Sequence, residues 1–190
     1  MDIIEIEDSL RDELPKDRFR HTMGVANTAA CLAMRFGYDS ERAYLTGLLH
    51  DCSKGYKSSE QAELAGNFNL KLSEIEVLNP ALIHAKTGAY LANLKYGIKD
   101  EEILSAIRCH TTGKPDMTML EKIIYIADYI EPNRKKQPHL KEIRKACFED
   151  LDKGLLMILS DTVEYLKNNS PENIDEMTLK TCEYYLKESN

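Results

Sequence analysis

Residues 18–36 read RFRHTMGVANTAACLAMRF, and the spacing of their apolar side chains decides the fold class. Val25, Ala29 and Leu32 recur at intervals of three or four residues, which is the period of one face of an α-helix. Gly37 follows directly and is typical of a helix C-terminus, because glycine adopts a left-handed backbone conformation without steric penalty. The stretch therefore predicts an amphipathic helix that ends at Gly37.

The same helical period continues along nearly the whole chain. No segment alternates apolar and polar residues between turn signals, as a half-buried strand would. Further helices are predicted from capping and terminating residues: one from Asp39 or Ser40 to near Ser53, one opened by Ser58 with Gln61, one opened by Ser73 with Glu76, one from Pro80 to Gly97, one from Asp100 to Gly113, and one opened by Thr118 with Glu121. The sequence therefore predicts an all-α, bundle-like domain.

The C-terminal third carries no recognisable motif. Residues 134–139, RKKQPH, are basic and contain proline, which predicts an exposed loop. Residues 140–190 predict two or three amphipathic helices with a break near Asn168 to Pro171. We therefore expect a functional core at 1–139 and C-terminal helices at 140–190 that pack on the same domain.

Composition and charge narrow the class of protein. The chain has 190 residues, 43% of them hydrophobic and 30% charged, which suits a folded globular domain. Its net charge of −7 argues against general nucleic-acid binding, which relies on lysine and arginine. No apolar run reaches the length of a membrane span, and the acidic N-terminus does not resemble a signal peptide. Five scattered cysteines without C-x-x-C pairing favour buried free thiols and a cytoplasmic location.

Ionisable residues occupy positions where the helical period calls for apolar ones. A single buried histidine is usually a core residue whose ring nitrogens are hydrogen-bonded. Several buried histidines and aspartates together form either a metal site or a hydrogen-bond network without metal. Buried carboxylates are costly unless they are paired or bound to a cation, and imidazole with carboxylate is a ligand set for first-row transition metals. His50 and Asp51 are adjacent at a helix end, so both can enter one cleft. The set comprises His21, His50, His84, His110 and Asp128, and these positions lie on different predicted helices.

The motifs around these residues resemble those of the HD superfamily of metal-dependent phosphohydrolases. RFRH contains His21, LTGLLHDCSK contains His50 and Asp51, and ADYIEPNR contains Asp128. His84 in LIHAKTGA and His110 in AIRCHTTG resemble the extra ligands of the binuclear members. The whole set, from Arg18 to Arg134, is similar to the YqeK-like symmetrical hydrolases of diadenosine tetraphosphate. The resemblance implies a compact HD-domain helical bundle with additional C-terminal helices.

The resemblance also implies a cofactor and a reaction. His21, His50, Asp51 and Asp128 would bind one divalent metal, and Asp51 would bridge to a second metal held by His84 and His110. Members of this subgroup are typically associated with iron, and manganese suits the same ligands. A metal-bound hydroxide would attack an inner phosphorus of diadenosine tetraphosphate and release two molecules of ADP.

Several polar residues beside the ligands are candidates for substrate binding. Lys54 and Arg134 are expected to contact phosphate oxygens and to assist catalysis together with Asp51. Arg18, one helical turn before His21, and the turn formed by Thr111, Thr112 and Gly113 are further candidates, the latter through backbone N–H groups. Glu131 could orient a ligand histidine, and Tyr125 and Tyr129 could stack on a nucleobase, although core packing is the commoner role of tyrosines at such positions.

Two other functions stay open at this point. One is an HD phosphohydrolase that acts on a nucleoside triphosphate, a monophosphate or an alarmone, because metals recognise phosphate and not the base. The other is a nucleotide-sensing HD protein without catalysis, although its expected mark, a missing ligand, is not found. In each case the partner is a small nucleotide, with neither nucleic acid nor membrane, and a homodimer is compatible with an enzyme of this size.

Overall fold

In the computed structural model the chain folds into α-helices joined by short loops, and the structure describes residues 1–134, 137–171 and 174–188. Within these ranges no residue lies in a β-strand, so the all-α prediction is confirmed. The helices are α1 (Ile3–Glu13), α2 (Lys16–Phe36), α3 (Ser40–Leu49), α4 (Ser58–Asn67), α5 (Glu74–Leu78), α6 (His84–Leu94), α7 (Glu101–Cys109), α8 (Met119–Ile130), α9 (Leu140–Glu149), α10 (Leu151–Asn169) and α11 (Glu176–Glu188). Short 3₁₀ turns occupy Cys52–Gly55 and Pro80–Leu82.

Several predicted helix boundaries are confirmed by their capping contacts, but α3, α6 and α7 end at Leu49, Leu94 and Cys109, three or four residues before the predicted ends, and α6 starts at His84 and not at Pro80. Gly37 ends α2 in the left-handed conformation, with φ of 70°. Asp39 caps α3 by accepting a hydrogen bond from the Arg42 backbone N–H. Thr118 and Glu121 form the predicted capping box at the start of α8, and so do the predicted residues at the start of α5.

The capping box predicted at Ser58 and Gln61 is wrong. Helix α4 starts at Ser58 itself, and Glu60 accepts the hydrogen bond from the Lys57 backbone N–H. Gln61 is buried and contacts the Ser53 carbonyl instead, so a tertiary contact uses the side chain that the local pattern assigned to a cap.

The core lies between α2, α3, α7 and α8. Leu32, Leu48, Ile107 and Ile124 are completely buried there, one from each helix. Helices α2 and α3 approach closely because Gly47 has no side chain: a Cβ at that position would lie 2.6 Å from the Ala26 Cα. This packing fixes the C-terminal end of α3, which presents His50, relative to α2, which presents His21.

The C-terminal helices pack against α8 and against one another. Helices α9 and α10 both contact α8, and α11 contacts α10. Helix α10 ends at Asn169, close to the predicted interruption of the helical pattern. In the predicted basic loop, Lys135 and Lys136 lie outside the described residues, and His139 is largely exposed.

The cysteines are free, as predicted, but one of them is on the surface. Cys52, Cys109, Cys147 and Cys182 are buried, whereas Cys31 is exposed and corrects the prediction that all five are buried. Within the described part of the chain, no helix is both long enough and apolar enough to cross a membrane.

Candidate metal centre

Five structural elements bring the predicted ligand residues together. The four histidines among them are buried and Asp51 is only 2% exposed, while the Asp128 side chain is more accessible. Helix ends account for much of the convergence, since a residue at the end of a helix can project beyond its own packing interface. The positions are His21 in the second turn of α2, His50 and Asp51 after the last residue of α3, His84 at the start of α6, His110 after α7 and Asp128 in the last turn of α8.

One group of side chains forms around His21 and His50. The His50 Nε2 atom lies 3.4 Å from Asp51 Oδ2, and His21 Nε2 lies 3.9 Å from the same oxygen. Asp128 Oδ1 lies 3.0 Å from His21 Nε2 and 3.9 Å from His50 Nε2. One ligand atom each from His21, His50 and Asp51 lies within 4.8 Å of the other two, close enough to share one cation, and Asp128 adjoins this group through its contact with His21.

A second group forms on the other side of Asp51. The Nε2 atoms of His84 and His110 lie 3.2 Å apart. Asp51 Oδ1 lies 3.4 Å from His84 Nε2 and 3.6 Å from His110 Nε2. Asp51 therefore directs Oδ2 to one group and Oδ1 to the other, which is the arrangement a carboxylate needs to bridge two metal ions.

Hydrogen bonds at the remote ring nitrogens orient three of the imidazoles. His50 Nδ1 lies 2.6 Å from the Gly47 carbonyl oxygen, and His110 Nδ1 lies 2.8 Å from the Ile107 carbonyl oxygen. Because a carbonyl oxygen only accepts, both Nδ1 atoms must carry the proton. His21 Nδ1 lies 3.2 Å from Glu131 Oε1 and is oriented in the same way. Each ring then presents the lone pair of Nε2 to the centre, as a neutral metal ligand does.

Buried polar atoms without hydrogen-bond partners test whether a metal fits. They include His21 Nε2, His50 Nε2 and Asp51 Oδ1, all of which point into the two groups. Buried polar groups are normally satisfied, since leaving one unpaired costs about 1–3 kcal/mol. Two imidazole nitrogens and one oxygen of the shared carboxylate match the donor set of a transition-metal site. The cluster can therefore hold metal ions.

Electrostatics keep both aspartates ionised. Burial raises the pKa of Asp51, but the neighbouring His50 and His110 outweigh it and hold that pKa well below its usual range. Burial likewise raises the pKa of Asp128, and contact with His21 together with nearby positive charge lowers it far below the usual value. Both carboxylates therefore offer negatively charged oxygens at neutral pH.

Three cations surround the ligands. Arg18 Nη1 lies 2.7 Å from Asp51 Oδ2, and Arg134 Nη2 lies 2.8 Å from Asp128 Oδ1. Lys54 is half-buried, with no side-chain hydrogen bond or ion pair to the described residues. Burial lowers the pKa of Lys54, an effect that Asp51 only partly offsets. The two arginines thus contact the carboxylates of two candidate ligands, whereas the ammonium group of Lys54 has no such partner among the described residues.

The predicted turn at residues 111–113 is only partly at the centre. Thr111 lines the cleft beside His110. Thr112 and Gly113 line a different cleft of about 320 Å³, and the Gly113 N–H donates to the Cys109 carbonyl oxygen. That N–H is therefore not available to an anion at the metal centre, contrary to the expectation for this turn.

Two supporting residues were not recognised in the sequence. Asn133 donates its backbone N–H and its side-chain amide to Glu131 Oε2, at 2.7 and 2.9 Å, and so fixes the carboxylate beside His21. Arg144 on α9 donates to the carbonyl oxygens of Ile130 and Glu131 at 2.8 and 2.7 Å. The Arg144 contact leaves no local sequence signal, because it joins α9 to the end of α8, whereas Asn133 lies only two residues after Glu131.

A helical fold in which one aspartate joins two clusters of histidines offers the imidazole and carboxylate ligands that metal-dependent hydrolases use. The HD domain matches residues 18–133, which include all six predicted ligands. The chain belongs to the HD-domain family of metal-dependent phosphohydrolases.

Relatives with curated names lie within the same family. The chain is 42% identical to a protein of Bacillus subtilis (strain 168) named "Bis(5'-nucleosyl)-tetraphosphatase, symmetrical", over 85% of this chain and 87% of that protein. It is 40% identical to a protein of the same name from Halalkalibacterium halodurans, over 85% and 86% of the two chains. Among solved structures, a Clostridium acetobutylicum protein described as a "predicted HD superfamily hydrolase involved in NAD metabolism" superposes with a TM-score of 0.92 at 38% identity, covering 99% of this chain and 98% of that one.

Proposed function

We propose that this protein hydrolyses diadenosine tetraphosphate symmetrically and releases two molecules of ADP. The observation that carries the proposal is the pair of ligand clusters that share Asp51, in a chain similar over most of its length to symmetrical tetraphosphatases. A phosphoanhydride bridge is strongly anionic, and its hydrolysis at neutral pH needs both an activated water and neutralisation of charge on the phosphates.

Two divalent metal ions would supply both requirements when bound. In this proposal His21, His50, Asp51 and Asp128 hold one ion, and Asp51, His84 and His110 hold the other. Such a pair makes hydroxide available near pH 7 and stabilises charge on a phosphoryl group. Mixed imidazole and carboxylate ligands suit iron, and manganese is the alternative with the same ligands.

The cations of the chain position the polyphosphate. Lys54 is half-buried beside Asp51 and has no ion-pair partner among the described residues, so we assign it to a phosphate oxygen. Arg18 and Arg134 keep the carboxylates of Asp51 and Asp128 in place through Nη1 and Nη2, respectively. Because each guanidinium has five N–H donors, each arginine retains donors for substrate after making that contact.

Product analysis tests the reaction. The metal-loaded protein is incubated with diadenosine tetraphosphate, and the nucleotides are separated by ion-exchange chromatography. We expect ADP as the sole nucleotide product. AMP and ATP in equal amounts would show asymmetric cleavage, and an absence of turnover beside rapid hydrolysis of a nucleoside triphosphate would favour the other substrate class.

A lysine variant tests the phosphate contact separately. Lys54→Met should lower kcat/KM for diadenosine tetraphosphate at least about tenfold, since a charged donor to the reacting phosphates is lost. Lys99→Met removes the same charge from an exposed position and serves as the control. Equal activity of the two variants would refute the role of Lys54.

A further inference from the structure

Two clefts flank the metal centre, and their chemistry differs. One has a volume of about 400 Å³ and is lined by His21 together with Arg18, Arg20 and Arg134. The other has a volume of about 410 Å³ and is lined by His110 and Asp128. Since each cleft reaches candidate ligands, a substrate that spans the centre has to enter both.

The first cleft is lined by three arginines and by the carboxylates of Asp17 and Glu131, and it has no phenylalanine, tyrosine or tryptophan among its described lining residues. Three arginines meet there with Asn133, which is a combination that binds phosphate oxygens. We call it the arginine cleft.

The second cleft has aromatic walls, and we call it the tyrosine cleft. Its walls are Tyr125 and Tyr129 from α8, Tyr165 and Leu166 from α10, and Pro138. No lysine or arginine is among its described lining residues. Its volume lies within the range of small-ligand pockets, which are about 300–1,000 Å³ and are mostly lined by apolar and aromatic groups. These walls suit a planar base and not a polyphosphate.

One acidic residue provides a polar anchor in the tyrosine cleft. Asp161 on α10 is 18% exposed, and its Oδ2 atom lies 3.1 Å from His139 Nδ1. Its other carboxylate oxygen has no hydrogen-bond partner among the described residues and remains available as an acceptor. Tyr165 follows one helical turn later, lines the same cleft and is 58% exposed.

We propose that the tyrosine cleft binds one adenosine end of the substrate, with the adenine ring stacked on Tyr165 and its amino group donating to Asp161. The inference rests on the proposed function and adds how the nucleotide is recognised. The ribose, which carries the phosphates, then lies nearest to His110 and Asp128, and the base reaches α10, which supplies none of the candidate ligands. The two ends of a symmetric substrate are thereby bound by different surfaces.

This assignment gives the C-terminal helices a role. Asp161 and Tyr165 lie beyond residue 133, where the match to the HD domain ends. The core would hold the metals and the phosphates, and α10 would add selectivity for the nucleoside.

The stacking contact is tested by equilibrium binding to the metal-loaded protein, with ADP as the nucleotide probe and inorganic pyrophosphate as the probe that lacks a base. Tyr165→Ala should weaken ADP binding about tenfold, the range found when a base-stacking aromatic is removed, and should leave pyrophosphate binding unchanged. Tyr165→Phe keeps the ring and should bind ADP as the wild type does. If both probes weaken together in Tyr165→Ala, or neither does, the proposal is overturned.

The polar anchor is tested by comparing ADP with inosine diphosphate, which has a carbonyl in place of the adenine amino group. The wild type should favour ADP, and Asp161→Asn should lose or reverse this preference because an amide can donate to the carbonyl. Glu164→Gln removes the same charge from an exposed position of α10 and should retain the wild-type preference. An unchanged preference in Asp161→Asn overturns the proposal. Both tests measure ligand binding and not turnover. A failure of the proposed adenosine site can therefore be distinguished from a failure to hydrolyse diadenosine tetraphosphate.

Discussion

Replacing Gly24 by alanine would displace the carboxylate that orients His21. Gly24 lies on α2 one turn after His21, and a Cβ there would be 2.3 Å from Glu131 Oε2 and 3.2 Å from Asn133 Nδ2. Since atoms in van der Waals contact are about 3.5–4.0 Å apart, the carboxylate would have to move by roughly 1 Å. Glu131 is 1% exposed, so it cannot swing into solvent without opening the structure.

The size of the effect follows from the contacts that the movement disturbs. Glu131 Oε2 accepts two hydrogen bonds from Asn133, and Oε1 lies 3.2 Å from His21 Nδ1. Loss of a hydrogen bond to a charged group lowers the free energy of unfolding by about 1.5–3 kcal/mol, and the helical preference for alanine over glycine raises it by about 0.5–1 kcal/mol. We expect a net loss of about 1–2 kcal/mol in the free energy of unfolding. Disturbing a partner of a ligand histidine should also weaken metal binding about 10- to 100-fold.

Two measurements on two variants check this reasoning. Urea unfolding gives the stability, and competition with a chromophoric chelator gives the metal affinity. Gly66→Ala is the matched control, because it also lies in a helix and a Cβ there meets nothing within 4 Å. The control should be as stable as the wild type or more so, with unchanged metal affinity. The reasoning is refuted if Gly24→Ala binds metal as tightly as the control.

Three further predictions concern the bridging carboxylate, the helix packing and acid stability. Asp51→Asn should lose bound metal and activity while the far-ultraviolet circular dichroism stays helical; two retained metal equivalents would contradict the bridging role. Gly47→Ala should lower the free energy of unfolding by about 1–3 kcal/mol, since its Cβ would meet the Ala26 Cα at 2.6 Å, and an unchanged urea midpoint would argue against this close approach. Burial raises the pKa of Asp100, but Arg42, 2.6 Å away, and the N-terminal N–H groups of α7 lower that pKa below its usual value. Ionised Asp100 therefore stabilises the fold above about pH 4, and this contribution is lost as the pH falls through the depressed pKa. The stability gap between the wild type and Asp100→Asn should therefore close in acid, and a gap that is independent of pH would show that ionisation plays no part.

Many helix boundaries of the fold could be predicted from residues that are close together in the sequence. Gly37 and the Thr118–Glu121 pair predict a helix end and a helix start, because the groups that satisfy the backbone there are within four residues in the sequence. Ser58 and Gln61 have the same spacing, but the capping box predicted from them is wrong. Gln61 is buried against Ser53, and local spacing carries no information about such a contact.

In the candidate site, too, some residues could be recognised from the sequence pattern and others only from the tertiary structure. Helical phase marks His21 and Asp128 as polar residues on apolar faces, so they can be proposed as ligands from the sequence. The function of Arg144 depends on how α9 lies against the end of α8, which periodicity does not encode, whereas the contact of Asn133 with Glu131 spans only two residues and is local. The assignment of Gly113 as an anion-binding donor failed because its N–H completes the end of α7.

Anomalous diffraction from crystals of the metal-loaded protein, recorded at the iron or manganese absorption edge, tests the binuclear centre most directly. We expect two peaks about 3.5–4 Å apart, the usual separation in two-metal sites, on opposite sides of the Asp51 carboxylate. One peak should lie among His21, His50 and Asp128, and the other beside His84 and His110. A single peak, or peaks remote from Asp51, would contradict the account.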